Sequence, residues 1–169
     1  MRPALNREAQ PALTLAWLLT VFGLALAVPQ AAAQVSPPSA VAPHPGLEPQ
    51  DVVRIQLEAL RGNAADDSGI AVAFSFASPD NRRNTGPLAR FAHMIKKGPY
   101  APMLRFTEAV YAPPNVQGRL AVQDVTLVAP GMAPVRYRFH LSRQEAEGPL
   151  HECWMTEGVQ VLPARGTQV

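Results

Sequence analysis

Between Pro134 and Arg143 the chain alternates strictly: Val135, Tyr137, Phe139 and Leu141 are apolar, while Arg136, Arg138, His140 and Ser142 are polar. A period of two is that of a strand with one face buried and the other wet. Leu104–Tyr111, Arg119–Val128 and Cys153–Leu162 are three further strand candidates. Pro113-Pro114-Asn115, Pro130-Gly131 and Glu147-Gly148-Pro149 mark the turns between them. Strands with such short connections pair antiparallel.

Upstream, the period is helical. Pro49 suits the first turn of a helix, with Asp51 at the positive end of the dipole. Val53, Leu57 and Leu60 then form one stripe, flanked by Ile55 and Ala59, and Gly62 is a natural stop. A second helix is signalled by Asp66, Asp67 and Ser68 ahead of Ile70, Ala73, Phe74 and Ala77. It must end by Ser78, because Pro79 disfavours helical geometry in the residue before it. A third runs from about Thr85 to Lys97, with Leu88, Phe91 and Ile95 inward, Met94 beside them, and Gly98-Pro99 closing it. Three helices followed by four strands predict an α+β domain, with the helices packed on one face of an antiparallel sheet.

A different pattern precedes the domain. Leu13–Val28 is an apolar run behind Arg2 and Arg7, followed by Pro29 and Ala31-Ala32-Ala33. A basic start, an apolar middle and a small-residue exit are the parts of a secretory signal, with cleavage expected after Ala33. The run is shorter than the ~20 residues that cross a bilayer comfortably. An uncleaved N-terminal anchor is the alternative, and leaves the domain on the same side of the membrane. The expected organisation is a signal peptide over 1–33, a Pro/Ala-rich disordered tether over 34–48, one domain over 49–162 and a disordered tail over 163–169. Pro37, Pro38, Pro43, Pro45 and Pro49 keep the tether extended. The destination read from this layout is periplasmic or secreted.

Removing the first 33 of 169 residues leaves 136, enough for a single core. Arg2, Arg7 and Glu8 leave with them, so 15 basic and 13 acidic residues become 13 and 12. A near-neutral domain lacks the basic excess of a nucleic-acid binder. Cys153 is alone, so no intramolecular disulfide and no thiolate cluster can form, and its neighbours Trp154 and Met155 place it in the core.

Several blocks are similar to a known family. Gln56-Leu57-Glu58-Ala59-Leu60, Asp66-Asp67-Ser68-Gly69-Ile70-Ala71 and Ala73-Phe74-Ser75-Phe76-Ala77-Ser78-Pro79-Asp80-Asn81-Arg82 resemble the family catalogued as domain of unknown function 4864. Thr85-Gly86-Pro87, Arg90-Phe91 with Met94, Tyr100-Ala101-Pro102 and the Trp154 strand continue the likeness, which covers roughly Pro49 to Val161. The Phe76–Asn81 block is its most specific part. The resemblance implies the cone-shaped fold of nuclear transport factor 2, in which a curved four-stranded sheet wraps the helices. That wider superfamily includes ligand-binding modules, small isomerases and dehydratases, and assembly domains, so fold alone does not choose among them.

The residues that could carry chemistry are few. Asp124 interrupts Leu120, Val122 and Val128, and Glu108 sits between Phe106 and Val110. An inward carboxylate must be paired, hydrogen-bonded or protonated. Each is either a general base in a pocket, the partner of Arg105, Arg119 or Arg138, or turned to solvent by a bulge. Tyr100 or Tyr137 would be the hydrogen-bond donor beside such a base. Asp66 and Asp67 fit helix capping. Arg136, Arg138 and His140 stand about 7 Å apart along one strand face, either as a solvated surface or as an anion-binding stripe. Asn81-Arg82-Arg83-Asn84 reads as a polar loop whose arginines, Arg82 and Arg83, could grip a carboxylate or phosphate. His93 falls at the edge of its helix's stripe. The four histidines form no metal-ligand spacing, and no phosphate-cradling glycine loop occurs.

The function expected from these readings is an exported, non-enzymatic domain binding a small molecule or another protein, with no cofactor. Its ligand would be apolar or weakly acidic and sit between helices and sheet, lined by Phe74, Phe91, Tyr100, Phe106, Tyr137, Phe139 and Trp154. An envelope protein or a second copy of the chain is the partner if that space is filled. The alternative is a small cofactor-free enzyme, isomerase- or dehydratase-like, with Asp124 or Glu108 as base.

Overall fold

Helix α1 spans Pro49–Arg61, opening at the proline and stopping at Gly62 as the sequence predicts. The backbone N–H of Glu48 donates to Asp51 Oδ2 at 3.2 Å, closing the first turn. Its buried stripe is Val52, Val53, Gln56, Leu57 and Leu60, so the stripe widens toward Val52 and Gln56, whereas Ile55 and Ala59 are half-buried. These coordinates come from a computed structural model, which describes residues 41–163. The signal segment, its cleavage site, tether residues 34–40 and tail residues 164–169 lie outside the described residues. Of the tether, 41–48 carries a turn at Pro45-Gly46, and Leu47 packs against the core, so its end is docked.

Helix α2 is Ser68–Ser75, ending before Ser78 as Pro79 requires. A helix that the sequence did not predict precedes the expected third one. Pro79 also opens a short helix, α3 (Pro79–Thr85), with Ser78 as its cap: Ser78 Oγ accepts from the Asn81 N–H at 3.0 Å. Ser-Pro-Asp is a helix-start signal that reading Asn81–Asn84 as a loop passed over. Helix α4 follows at Leu88–Lys96 with Phe91, Ala92 and Ile95 buried; Leu88, expected inward, is exposed. Gly98–Leu104 then winds into a 3-10 turn, so the strand expected from Leu104 begins only at Glu108.

Five strands form one antiparallel sheet: β1 (Glu108–Tyr111), β2 (Asn115–Gln117), β3 (Leu120–Val128), β4 (Val135–Arg143) and β5 (Trp154–Leu162). The order is β1-β3-β4-β5, with β2 pairing the other end of β3. The fifth strand, β2, lies where a turn was read at Asn115. A bulge at Glu157 shifts the β4–β5 register between His140 and Leu141. Among the described residues the architecture is α+β, four α-helices and a 3-10 turn against an open five-stranded antiparallel sheet. Val52, Leu57 and Ile70 from the helices and Phe76 just after α2 pack with Val125, Leu127, Tyr137, Phe139 and Leu141 from the sheet.

Register decides one misreading. Cross-strand partners share a face, and Gln123 and Val125 pair with the inward Phe139 and Tyr137. The inner face of β3 is therefore Ala121, Gln123, Val125 and Leu127, all buried. Leu120, Val122, Asp124 and Val128 face out, one residue off the phase that brought Asp124 inward.

Candidate functional site

Between the helices and the β4–β5 part of the sheet lies a cavity of about 200 Å³. Its apolar wall comes from Leu60 of α1, Ala73 of α2, Phe91, Met94 and Ile95 of α4, Tyr100 and Met103 of the 3-10 turn, and Phe139 and Val159 of the sheet. Its polar wall is Gln56, Asn81, Thr85 and Thr156. Among the described residues no charged side chain lines it. The Tyr100 hydroxyl donates to Val159 O at 2.9 Å, which ties the 3-10 turn to β5.

The polar wall is built by the junction of α2 and α3 with β5. Ala77 makes an isolated parallel bridge to Thr156: Thr156 N–H donates to Phe76 O and Ser78 N–H to Thr156 O, both at 2.9 Å. Asn81 Nδ2 donates to the same carbonyl at 2.9 Å, filling its second lone pair. Thr156 Oγ1 donates to Gln56 Oε1 at 2.7 Å, and Gln56 Nε2 donates to Ala73 O at 3.0 Å. Ser78 Oγ donates to Glu157 Oε2 at 2.6 Å, while Ser142 Oγ donates to Glu157 Oε1. The Phe76–Asn81 block thus has a physical role: one buried ring, one bridge, one cap and one amide that together clamp two helices to the sheet at its bulge.

Three of the seven aromatics read as lining, Phe91, Tyr100 and Phe139, face the cavity. Phe74 stands behind, its ring centroid 5.1 Å from that of Phe91. Phe106 is buried under the Arg61 guanidinium, 5.3 Å from its ring centroid. Trp154 is core. Tyr137 is fully buried and donates to Pro99 O at 2.7 Å; burial pushes its phenol up to about 12. Gln56, Asn81, Thr85 and Thr156 were missed as site residues. Gln56 could have been found, since it falls on the 53–57–60 stripe as its polar member.

The carboxylates lie elsewhere. Asp124, on the outer face, is gripped by Arg138 through two bonds of 2.7 and 2.9 Å, and that hydrogen bonding holds it below the usual carboxylate range. Arg138 is one of the three partners the sequence offered for it. Glu108 is exposed at the start of β1. Neither stands in the cavity, and both tyrosine hydroxyls proposed beside a base are spent on backbone carbonyls. Of the readings the sequence left open, Asp124 takes that of an arginine's partner and Glu108 that of a solvent-facing group; neither takes that of a pocket base.

The basic groups are spread over separate elements. Arg136, Arg138 and His140 share the outer face of β4, but Arg138 is committed to Asp124. Arg136 Nε is shut from solvent with no partner among the described residues. Arg82 and Arg83 sit on α3, and Arg83 pairs with Asp80. Neither aspartate caps α2 as expected: Asp66 Oδ1 accepts from Ser68 N–H at 3.0 Å in a turn ahead of the helix, and Asp67, at the N-cap position, makes no side-chain capping bond and accepts from Lys96 Nζ at 2.7 Å instead. His93 is exposed, and Cys153 is buried, which pushes its thiol up. Among the described residues no cluster of three or more His, Cys, Asp or Glu could hold a metal ion, and no helix is long and apolar enough to cross a membrane.

A family model described as Domain of unknown function (DUF4864) matches residues 46–169. No curated protein and no solved structure matches the chain.

Proposed function

The chain belongs to that family, and we propose that it is an exported binding domain that holds one small uncharged molecule in the cavity between its helices and sheet. The observation that carries this reading is the cavity itself, about 200 Å³ with an apolar wall and one polar end. Binding sites are commonly concave, mostly apolar and equipped with a few placed polar groups. An apolar protein cavity of roughly 150 Å³ accepts benzene, so this one suits a single ring or a short branched chain. A wall without cations disfavours the weakly acidic ligand as an anion, because a desolvated carboxylate would go unpaired. The binding role is preferred to the isomerase-like one because Asp124 and Glu108, its bases, stand outside the cavity.

Helices leading into an antiparallel sheet are compatible with the cone of nuclear transport factor 2, and the cavity would then occupy the cone's interior. Export rests on the Arg2/Arg7, Leu13–Val28 and Ala31–Ala33 pattern.

The test is thermal unfolding of the full-length chain with toluene or xenon. A ligand that binds only the native state raises stability by about 2.7 kcal/mol at a hundredfold excess over Kd. A rise in Tm that saturates with concentration is expected. Unchanged melting with both probes would remove the reading.

A further inference from the structure

We infer that the cavity selects a neutral alcohol or phenol, whose hydroxyl donates to Asn81 Oδ1; the inference rests on the cavity being a binding site. Asn81 lines the cavity and is only 9% exposed. Its amide orientation is fixed, because the end that lies 2.9 Å from Thr156 O must be the donor Nδ2; Oδ1 there would set two acceptors against each other. That leaves Oδ1 as a carbonyl acceptor, and among the described residues no group donates to it. The other polar groups at this end are occupied through their protons: Thr156 Oγ1 by Gln56, Thr85 Oγ1 by Asn81 O, and Tyr100 by Val159 O. What the wall lacks is a donor to its own free acceptor.

A ligand hydroxyl supplies that donor. The amides of Gln56 and Asn81 each keep one further N–H beyond the bond described, so a group that both donates and accepts suits this end. An ether or ketone only accepts and leaves Oδ1 unpaired; a methyl does neither. A site built to bond a hydroxyl rejects the analogue that lacks it far more strongly than an apolar pocket rejects a change of shape.

Phenol, toluene and anisole separate the possibilities, titrated into the full-length chain by calorimetry. Phenol is less willing than toluene to leave water, so an indifferent apolar cavity binds toluene more tightly. The expected order places phenol at or below the Kd of toluene and about tenfold or more below that of anisole, the difference expected when one buried hydrogen bond is lost. Phenol should also shift the side-chain amide resonances of Asn81 in a nitrogen-edited NMR spectrum. Toluene binding with phenol weaker, or phenol binding without moving the Asn81 amide, overturns this inference and leaves the cavity reading standing. Binding by none of the three overturns both.

Discussion

Tyr137 is the residue in which packing and hydrogen bonding are hardest to separate. Its ring is fully buried, stacked 6.4 Å from Tyr100, and its hydroxyl is the donor that Pro99 O receives. Losing the proton would put an unsolvated phenolate in the core, so burial holds the folded-state pKa at about 12, above an unfolded value of roughly 10. A raised folded pKa means the proton is bound more tightly in the native state. The stability it contributes is complete below about pH 10 and is lost as pH climbs toward 12. Denaturant unfolding measured across that window should show the loss, and Tyr137→Phe should flatten it. The same variant should cost about 1–3 kcal/mol at neutral pH, since Pro99 O is left without its donor. The strict alternation of Val135–Leu141 made Tyr137 legible as an inward residue. Asp124 was not legible, because both faces of β3 carry enough Val and Leu to pass for the core side. Only pairing with β4 distinguishes them.

At the scale of elements, the contact between α1 and α2 depends on Gly69. A Cβ built there would lie 2.1 Å from Ala59 O and 2.8 Å from Asn63 Cα, both backbone atoms that cannot swing aside. Gly69→Ala must push the second helix off the first, opening the layer that holds Val52, Leu57 and Ile70. A loss of about 3 kcal/mol is expected in urea unfolding, at the upper end for overpacking because the obstruction is main chain. A destabilisation below about 0.5 kcal/mol would mean that the helices are not held at this distance in solution. Element boundaries were readable where a single residue enforces them: Pro49 opens α1 and Gly62 stops it, whereas Pro79 sets only an outer limit for α2, which ends at Ser75 and leaves Ala77, expected on its stripe, in the bridge to Thr156. They were unreadable where one residue does two things. Pro79 bars α2 from continuing past Ser78 and also begins α3, and the second role shows only once Ser78 is recognised as its cap. Likewise Leu104–Phe106 has apolar content that suits a strand, but Pro99 and Pro102 bend the preceding segment into a 3-10 turn.

For the molecule as a whole, charge and cavity sit apart, and this division has a consequence for pH. Arg138 holds Asp124 below its ordinary value on the outer face, and Arg119 does the same for Glu152 in the β4–β5 hairpin. Glu152 also receives Arg143 at 2.9 Å. Depressed folded pKa values mean that the unfolded chain takes up protons first. The stability from these pairs is present above the unfolded carboxylate range of about 4 and is lost as pH falls through the lower folded values. Acid should therefore lower Tm, and Asp124→Asn with Glu152→Gln should lower it at neutral pH while making the acid slope shallower. Among the described residues the cavity wall contains no carboxylate and no imidazole. Toluene affinity should then be constant between about pH 5 and pH 8, the interval in which an ordinary histidine changes charge. An affinity that moved with pH across that interval would require a titrating group at the wall, which this arrangement of side chains does not contain. The sequence showed a near-neutral α+β domain with aromatics between its layers. The cavity's polar end was hidden because Gln56, Asn81 and Thr156 lie on three elements distant in the chain, and they meet only in the folded structure, at Thr156 beside the bulge at Glu157.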